Sequence, residues 1–138
     1  REMEEVIYNT NFEGLSIIFA GPYSPNPSEL LEEDLFHELL DALDEKFDYI
    51  IAYSVFPHFE YPDQVIDHLA NLLIPGGELV ICHSEGRESI NGHHNKQANR
   101  ISFGLPPARE VAALMEPYFH IDAMEDSDQL YMVSGIRN

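Results

Sequence analysis

The chain has 138 residues, enough for one domain with a hydrophobic core, and 44% of its residues are hydrophobic, as in ordinary globular proteins. Its 25 acidic and 7 basic side chains give a formal net charge of −18, so the chain repels the phosphate backbone of nucleic acids and the surface of anionic membranes. These values exclude nucleic acids and membranes as the expected partners.

The cysteine content and the lengths of the apolar runs indicate the cellular compartment. Because Cys82 is the single cysteine, the chain forms no internal disulfide, as is usual in the reducing cytoplasm. No apolar run approaches the roughly 20 residues that a membrane-spanning helix needs. We therefore predict a cytoplasmic protein without a membrane segment.

Residues 1–46 are predicted to contain one strand and one helix. Residues 1–14 are polar and show no periodicity, so we interpret them as a lead-in. The apolar, β-branched run at 15–20 predicts a buried strand, and a loop with three prolines follows it. Apolar residues at helical spacing over 28–43 predict an amphipathic helix whose other face is acidic.

Residues 47–138 alternate further strands with helices. Apolar runs bounded by turn residues predict the strands, and apolar residues three or four positions apart predict the helices. Such alternation indicates an α/β fold built on a mostly parallel sheet, and an acidic turn near the end predicts a closing antiparallel strand pair. The predicted elements are, in chain order, a strand at 47–55, a helix from Pro62 to a break at Pro75-Gly76-Gly77, a strand at 78–82, a helix after Pro107, and strands at 119–124 and 129–136.

Three segments of this part of the chain carry a family resemblance. They are FDYII at 47–51, FPHF at 56–59 and LLIPGGELVI at 72–81, and the closing strand pair follows them. Together, over about residues 47–137, they resemble the C-terminal half of class I S-adenosylmethionine-dependent methyltransferases. The resemblance implies a single Rossmann-like methyltransferase-type domain, S-adenosylmethionine as cofactor, and methyl transfer to a small molecule.

The first third of the sequence departs from this family. Its members bind the cofactor through a glycine-rich loop after the first strand and an acidic residue at the end of the second strand. This sequence contains no G-x-G motif, and the space before Asp48 is too short for that second strand. We therefore interpret the domain as N-terminally shortened, with a divergent segment at 15–46. The chain is either the C-terminal part of a longer enzyme or a relative with a degenerate cofactor site.

His58 is the predicted catalytic residue. It follows the strand at 47–55, where the resemblance implies side chains that face the reacting groups. An imidazole, whose ordinary pKa is about 6.5, can remove a proton from the group that accepts the methyl. The alternative is that His58 stacks on Phe56 and Phe59 and caps the next helix.

A polar stretch at 83–94 follows the next predicted strand, and it predicts a substrate-binding edge. Ligands of parallel sheets lie beyond the carboxyl ends of the strands, and an arginine there can hold a carboxylate or a phosphate through two hydrogen bonds. The alternative is a solvated loop. The predicted substrate-binding residues are His83, Glu85, Arg87 and Asn91.

The same stretch also predicts a metal site. Zinc accepts three imidazole nitrogens and keeps a fourth position open for water or substrate. The ends of neighbouring strands would bring two histidines together, and one of the following pair would complete the set. The predicted ligands are His58, His83, His93 and His94.

Three functional interpretations therefore stay open. The first is a methyltransferase-like protein that uses S-adenosylmethionine and acts on a small molecule. The second is a non-catalytic module of the same fold that forms a homodimer, because a shortened sheet has an unpaired edge that a second chain can cover. The third is a metal-binding protein that uses the histidine cluster.

Overall fold

The computed structural model describes residues 7–18, 38, 40–41, 43, 46–96 and 103–138, with the backbone alone at 94–96. Over these ranges the chain forms a two-stranded sheet, a four-stranded sheet and, from residue 46 onward, three α-helices. The elements are, in chain order, β1 (Ile7–Asn9), β2 (Ser16–Ile18), β3 (Phe47–Tyr53), α1 (Pro62–Leu72), β4 (Leu73–His83), α2 (Arg87–Lys96), α3 (Ala108–Met115), β5 (Phe119–Asp126) and β6 (Tyr131–Arg137).

The four-stranded sheet is mixed, with the strand order β3-β4-β6-β5. β3 and β4 are parallel, and the pairs β4–β6 and β5–β6 are antiparallel. The α/β class and the closing antiparallel pair predicted from the sequence are confirmed. Within the described ranges, no helix has the length and the apolar character needed to cross a membrane.

The run Pro75-Gly76-Gly77 lies inside β4, where the sequence predicted a break before the strand. β4 begins at Leu73, and its register against β3 shifts, so that two steps along β3 correspond to five steps along β4. Gly76 has a φ of 82°, a conformation that glycine adopts without steric cost. The strand therefore starts earlier than predicted, because the turn residues form a bulge that leaves the pairing intact on both sides.

The N-terminal strand differs from its prediction. β2 pairs with β1 in an antiparallel hairpin, so part of the predicted lead-in is a strand. The predicted burial is wrong at Leu15 and Ile18, which are 49% and 47% exposed, because β2 pairs with β1 and not with a strand of the described main sheet. Most of the predicted helix at 28–43 lies outside the described residues, although Leu40 is helical and buried in the core.

The core lies between the main sheet and the helices α1 and α3. Alternate residues of a strand point to one face, and the apolar ones of β4 and β6 meet the apolar faces of the two helices. Each fully buried aliphatic side chain contributes roughly 1.5–3 kcal/mol relative to an exposed one. The largest side chains that are almost completely buried are Pro57, Ile66, Leu79, Ile81, Val111, Met115, Tyr131 and Val133.

Replacing Leu79 with alanine tests the position of this core. Leu79 has no exposed surface, so Leu79→Ala leaves a cavity and is expected to lower the free energy of unfolding by about 2–5 kcal/mol. Met124→Ala is the matched control on an exposed position, and it is expected to change that free energy by less than about 0.5 kcal/mol. Denaturant titration gives both values, and equal losses in the two variants would contradict the assignment.

Candidate functional site

The carboxyl ends of β3 and β4 form the candidate site. The parallel register places Tyr53 beside Cys82, so the two strands end at the same edge of the sheet. The Tyr53 hydroxyl donates a hydrogen bond of 2.9 Å to Oγ of Ser84, and the Ser54 amide donates one of 2.9 Å to the Cys82 carbonyl. In sheets with parallel strands, this edge is the usual place for a ligand.

Ser54 marks the point where the chain leaves the sheet. Its φ is 56°, in the left-handed region that residues with a side chain adopt infrequently. The chain then enters a short 3₁₀ turn, Phe56–His58, that leads towards α1. Strained residues of this kind cluster at functional sites, so the geometry directs attention to the turn that follows β3.

His58 ends this turn and is half-buried. Its amide donates a hydrogen bond of 3.0 Å to the Val55 carbonyl. Phe56 and Phe59 are buried on either side, and their rings meet edge to face with centroids 5.8 Å apart. The two aromatic side chains anchor the turn in the core, and His58 is therefore held at the boundary between the core and the surface.

A second segment of backbone holds the same turn. The Phe103 amide donates a hydrogen bond of 3.0 Å to the carbonyl of Pro57, the residue before His58. The Phe103 side chain is 54% exposed. Sequence patterns could not predict this contact, because it joins two backbones and is independent of side-chain type.

Asn91, a predicted substrate-binding residue, holds the segment that follows Phe103. Its side-chain nitrogen donates to the Leu105 carbonyl at 3.0 Å, and its side-chain oxygen accepts from the Leu105 amide at 2.7 Å. The Tyr131 hydroxyl donates to the next carbonyl, that of Pro106, at 2.9 Å. The side-chain amide of Asn91 therefore holds the backbone at Leu105, two residues after the Phe103 amide that contacts the turn of His58.

Arg87, also predicted to bind substrate, forms an ion pair with Asp126 at the end of β5. Nε of Arg87 lies 3.2 Å from Oδ2 of Asp126, and both side chains are half-buried. The same carboxylate oxygen accepts a hydrogen bond of 3.0 Å from the Ala108 amide at the start of α3. The Asp126 carboxylate thus joins α2, α3 and β5. It also places a negative charge at the N-terminus of α3, where the helix dipole stabilises it.

His83 and Glu85 lie in different environments, although they are two residues apart. His83 is 2% exposed, and its ring meets the Tyr131 ring edge to face with centroids 6.0 Å apart. Glu85 is on the surface, where it accepts a hydrogen bond from Ser89 and lies 3.4 Å from Nε2 of His93. The Ser89 hydroxyl, and to a lesser extent the His93 charge, lowers the pKa of Glu85.

The predicted metal site does not form among the side chains that the structure describes. They include no group of three or more histidine, cysteine, aspartate or glutamate residues that could hold a metal ion. His83 faces the core and His93 is on the surface, so the fold separates two of the predicted ligands. The side chain of His94 lies outside the described ones, and its part in a zinc site stays a prediction.

The glycine that follows β4 offers no open backbone surface to S-adenosylmethionine. A cofactor of this kind is bound by glycine residues, whose backbone can approach it closely because they have no Cβ atom. Gly86, three residues beyond β4, is already packed against the β5–β6 turn, since an added Cβ would lie 2.4 Å from the Ser127 carbonyl oxygen. The close approach of the Gly86 backbone is therefore to the protein itself.

A groove of about 530 Å³ lies between α1 and α3. Its acidic residues are Asp63 and Asp67, and a hydrogen bond to Asp67 raises the pKa of Tyr118. His68, also in the groove, lies 3.6 Å from the Asp41 carboxylate. None of the described lining residues belongs to the turn at 54–59 or to the residues that follow β4, so we assign the candidate site to the carboxyl edge.

A family model matches part of the chain. Residues 18–79 match the model of the family described as Methyltransferase domain, a range that contains β3, His58 and α1. The resemblance to methyltransferases is confirmed. The match also extends upstream of residue 47, into the segment that the sequence predicts as divergent.

Solved structures agree on the fold. The PH0226 protein of Pyrococcus horikoshii OT3 aligns with a TM-score of 0.52 and 20% identity, over 69% of this chain and 56% of that protein. An O-methyltransferase family protein of Burkholderia thailandensis aligns with a TM-score of 0.53 and 16% identity, over 72% of this chain and 33% of that protein. The chain therefore spans about half and a third of their lengths, and these similarities concern the fold.

A short segment also matches bacterial kinases. It is 45% identical over 51 residues to the tyrosine-protein kinase ptk of Acinetobacter johnsonii, covering 37% of this chain and 7% of the kinase. The tyrosine-protein kinase CpsD of Streptococcus pneumoniae is 36% identical over 51 residues, which are 37% of this chain and 22% of the kinase. The chain spans less than a quarter of these relatives, so their activity is not carried over.

The double hydrogen bond of Asn91 gives a testable prediction. Asn91→Ala leaves the Leu105 amide and carbonyl without their side-chain partner, and the free energy of unfolding is expected to fall by about 1–3 kcal/mol. Hydrogen exchange at the Leu105 amide should accelerate. Ser89→Ala, on the exposed face of the same helix, is the control and should leave that exchange rate unchanged. An unaltered Leu105 rate in Asn91→Ala would contradict the supporting role.

Proposed function

We propose that the chain is a methyltransferase-like domain that acts on a small molecule at the carboxyl edge, with His58 as proton acceptor. The place of His58 carries the proposal: it lies just beyond β3, on a turn held by the Phe103 backbone, within the residues that match the methyltransferase domain model. A neutral imidazole in this place can take the proton of a hydroxyl or an amine.

The residues predicted to bind substrate are now divided into two groups. His83, Arg87 and Asn91 are assigned to the support of the edge, since their side chains contact Tyr131, Asp126 and Leu105. Direct contact with the small molecule is assigned to exposed groups at or beside the carboxyl edge. These are the hydroxyl of Ser84, the phenol of Tyr53, the ring of Phe103 and the carboxylate of Glu85.

We further infer that the cofactor site of this chain is degenerate. Support comes from the sequence, which contains no G-x-G motif, and from Gly86, whose close backbone contact is with the β5–β6 turn. A chain that keeps the acceptor edge and lacks the cofactor loop binds the acceptor molecule, and His58 removes its proton only when a methyl donor is supplied from outside these residues. A cytoplasmic location stays a prediction from the single cysteine.

Calorimetric titration with S-adenosylmethionine and S-adenosylhomocysteine tests the degenerate cofactor site. The expected result is no micromolar binding of either compound by this chain, because the backbone cradle for the cofactor is absent from its sequence. Far-ultraviolet circular dichroism of the same sample controls for folding. Micromolar binding with one site per chain would contradict the degenerate site and would favour a complete methyltransferase.

A second candidate function is a non-catalytic module that assembles through its sheet. The observation that favours it is the position of β3, an outer strand of the described sheet with three large apolar side chains exposed. Exposed strands of this kind are commonly covered by another chain. The metal-binding interpretation stays a prediction on His58, His83, His93 and His94, with no support from the described side chains.

A further inference from the structure

The charged side chains of the described carboxyl edge are mostly negative. Residues 54–61 and 84–91 follow the two parallel strands, and histidines apart, Arg87 is the basic residue of these ranges. The described segment at 103–108 contains no charged residue. The acidic residues of the same ranges, all exposed, are Glu60, Glu85 and Glu88.

Arg87 is already neutralised by a carboxylate. Its Nε donates hydrogen bonds to both carboxylate oxygens of Asp126, at 3.3 and 3.2 Å. The guanidinium and the carboxylate together carry no net charge, and a carboxylate or phosphate that approached Arg87 would be repelled by Asp126. The described part of the edge therefore disfavours an anionic molecule.

Two aromatic rings are exposed at or beside the edge. Tyr53, at the end of β3, is 55% exposed, and its hydroxyl is held by the hydrogen bond to Ser84. Phe103 is 54% exposed, and the hydrogen bond from its amide to Pro57 holds its backbone at the turn after β3. The face of an aromatic ring attracts other aromatic rings by stacking, and it attracts cations through its negative charge distribution.

Glu85 places a carboxylate directly after Ser84, the residue that contacts Tyr53. The Ser89 hydroxyl donates a hydrogen bond to this carboxylate, and that bond, more than the neighbouring His93, lowers the pKa of Glu85. The side chain is therefore negatively charged at neutral pH. A carboxylate and exposed aromatic rings together favour an organic cation.

We propose that the small molecule of the carboxyl edge is a cationic aromatic compound. Its ring stacks on Phe103 and Tyr53, and its positive charge is attracted by Glu85. The inference rests on the proposed function and names the class of molecule that binds at the same site.

Titration of the isotope-labelled chain with three matched compounds, followed by nuclear magnetic resonance, tests the charge preference. Tyramine, tyrosol and para-hydroxyphenylacetate share a phenol ring, and their side arms carry a positive charge, no charge and a negative charge at neutral pH. Tyramine is expected to bind most tightly. The Kd of tyrosol should be about threefold higher, and that of the acid about tenfold higher, because exposed charge pairs contribute modestly to affinity.

Glu85→Gln tests the group that attracts the positive charge. The variant removes the charge and keeps an oxygen that accepts from Ser89, so tyramine should lose its advantage and tyrosol should bind as before. Glu116→Gln is the matched control on an exposed glutamate just before β5. β5 begins at the opposite end of the sheet, where Phe119 pairs with Arg137, so this control should keep the preference for tyramine.

Two further variants test the ring contact and the neutralised arginine. Phe103→Leu keeps the backbone hydrogen bond to Pro57 and removes the aromatic face, so all three compounds should bind about threefold more weakly or worse. Asp126→Asn keeps an oxygen that accepts from the Ala108 amide and removes the charge opposite Arg87. It should strengthen binding of para-hydroxyphenylacetate by about three- to tenfold.

The outcomes separate this inference from the proposed function. Equal affinities for the three compounds, or tightest binding of the acid, would overturn the cationic class and leave the site in place. An undiminished preference for tyramine in Glu85→Gln would overturn the role of Glu85. If these three compounds leave the edge unshifted while other ring compounds shift it, the class is wrong and the proposed function stands. If no ring compound shifts the edge, both fail.

Discussion

The parallel pairing of β3 with β4 is the constraint on which the rest of the structure depends. It brings Tyr53 and His83, the last residues of the two strands, to one edge of the sheet. The helix between the strands begins at Pro62 and ends at Leu72, and β4 begins at the next residue. The irregular register of β4 against β3 at 74–77 therefore lies where the chain passes from the helix into the sheet. His58 and Ser84 share an edge because the two strands run in the same direction.

Most polar groups around this edge hold the protein together. Asp126 joins Arg87 to the start of α3, and Asn91 fixes the backbone of Leu105, in both cases through charged or paired hydrogen bonds. The segment after α2 is thereby tied to the turn that carries His58. The edge is consequently a preorganised surface, which is what a site that positions a small molecule requires.

Periodicity in the sequence was enough to predict the order of the described strands and helices from Phe47 onward, except for α2, which lies in a polar stretch without apolar periodicity. It failed at the bulge in β4 and at the hairpin of β1 and β2, because pairing partners decide those features and local patterns do not record them. The location of the site at this edge of the sheet stays a prediction, and the partners of Arg87 and Asn91 lie 39 and 14 positions away in the sequence. No spacing rule links such residues, so the sequence could not predict these contacts of Arg87 and Asn91, and their role in substrate binding stays a prediction.

The assignment of function to the carboxyl edge is tested most directly by nuclear magnetic resonance of the isotope-labelled chain with a set of small polar ring compounds. The expected result is that shifts on binding are confined to residues around Tyr53, His58, Ser84 and Phe103, and that His58→Ala abolishes them. His120→Ala, which removes an exposed histidine on β5, should leave them unchanged. Shifts that are confined to the groove between α1 and α3, or that survive His58→Ala, would contradict the assignment.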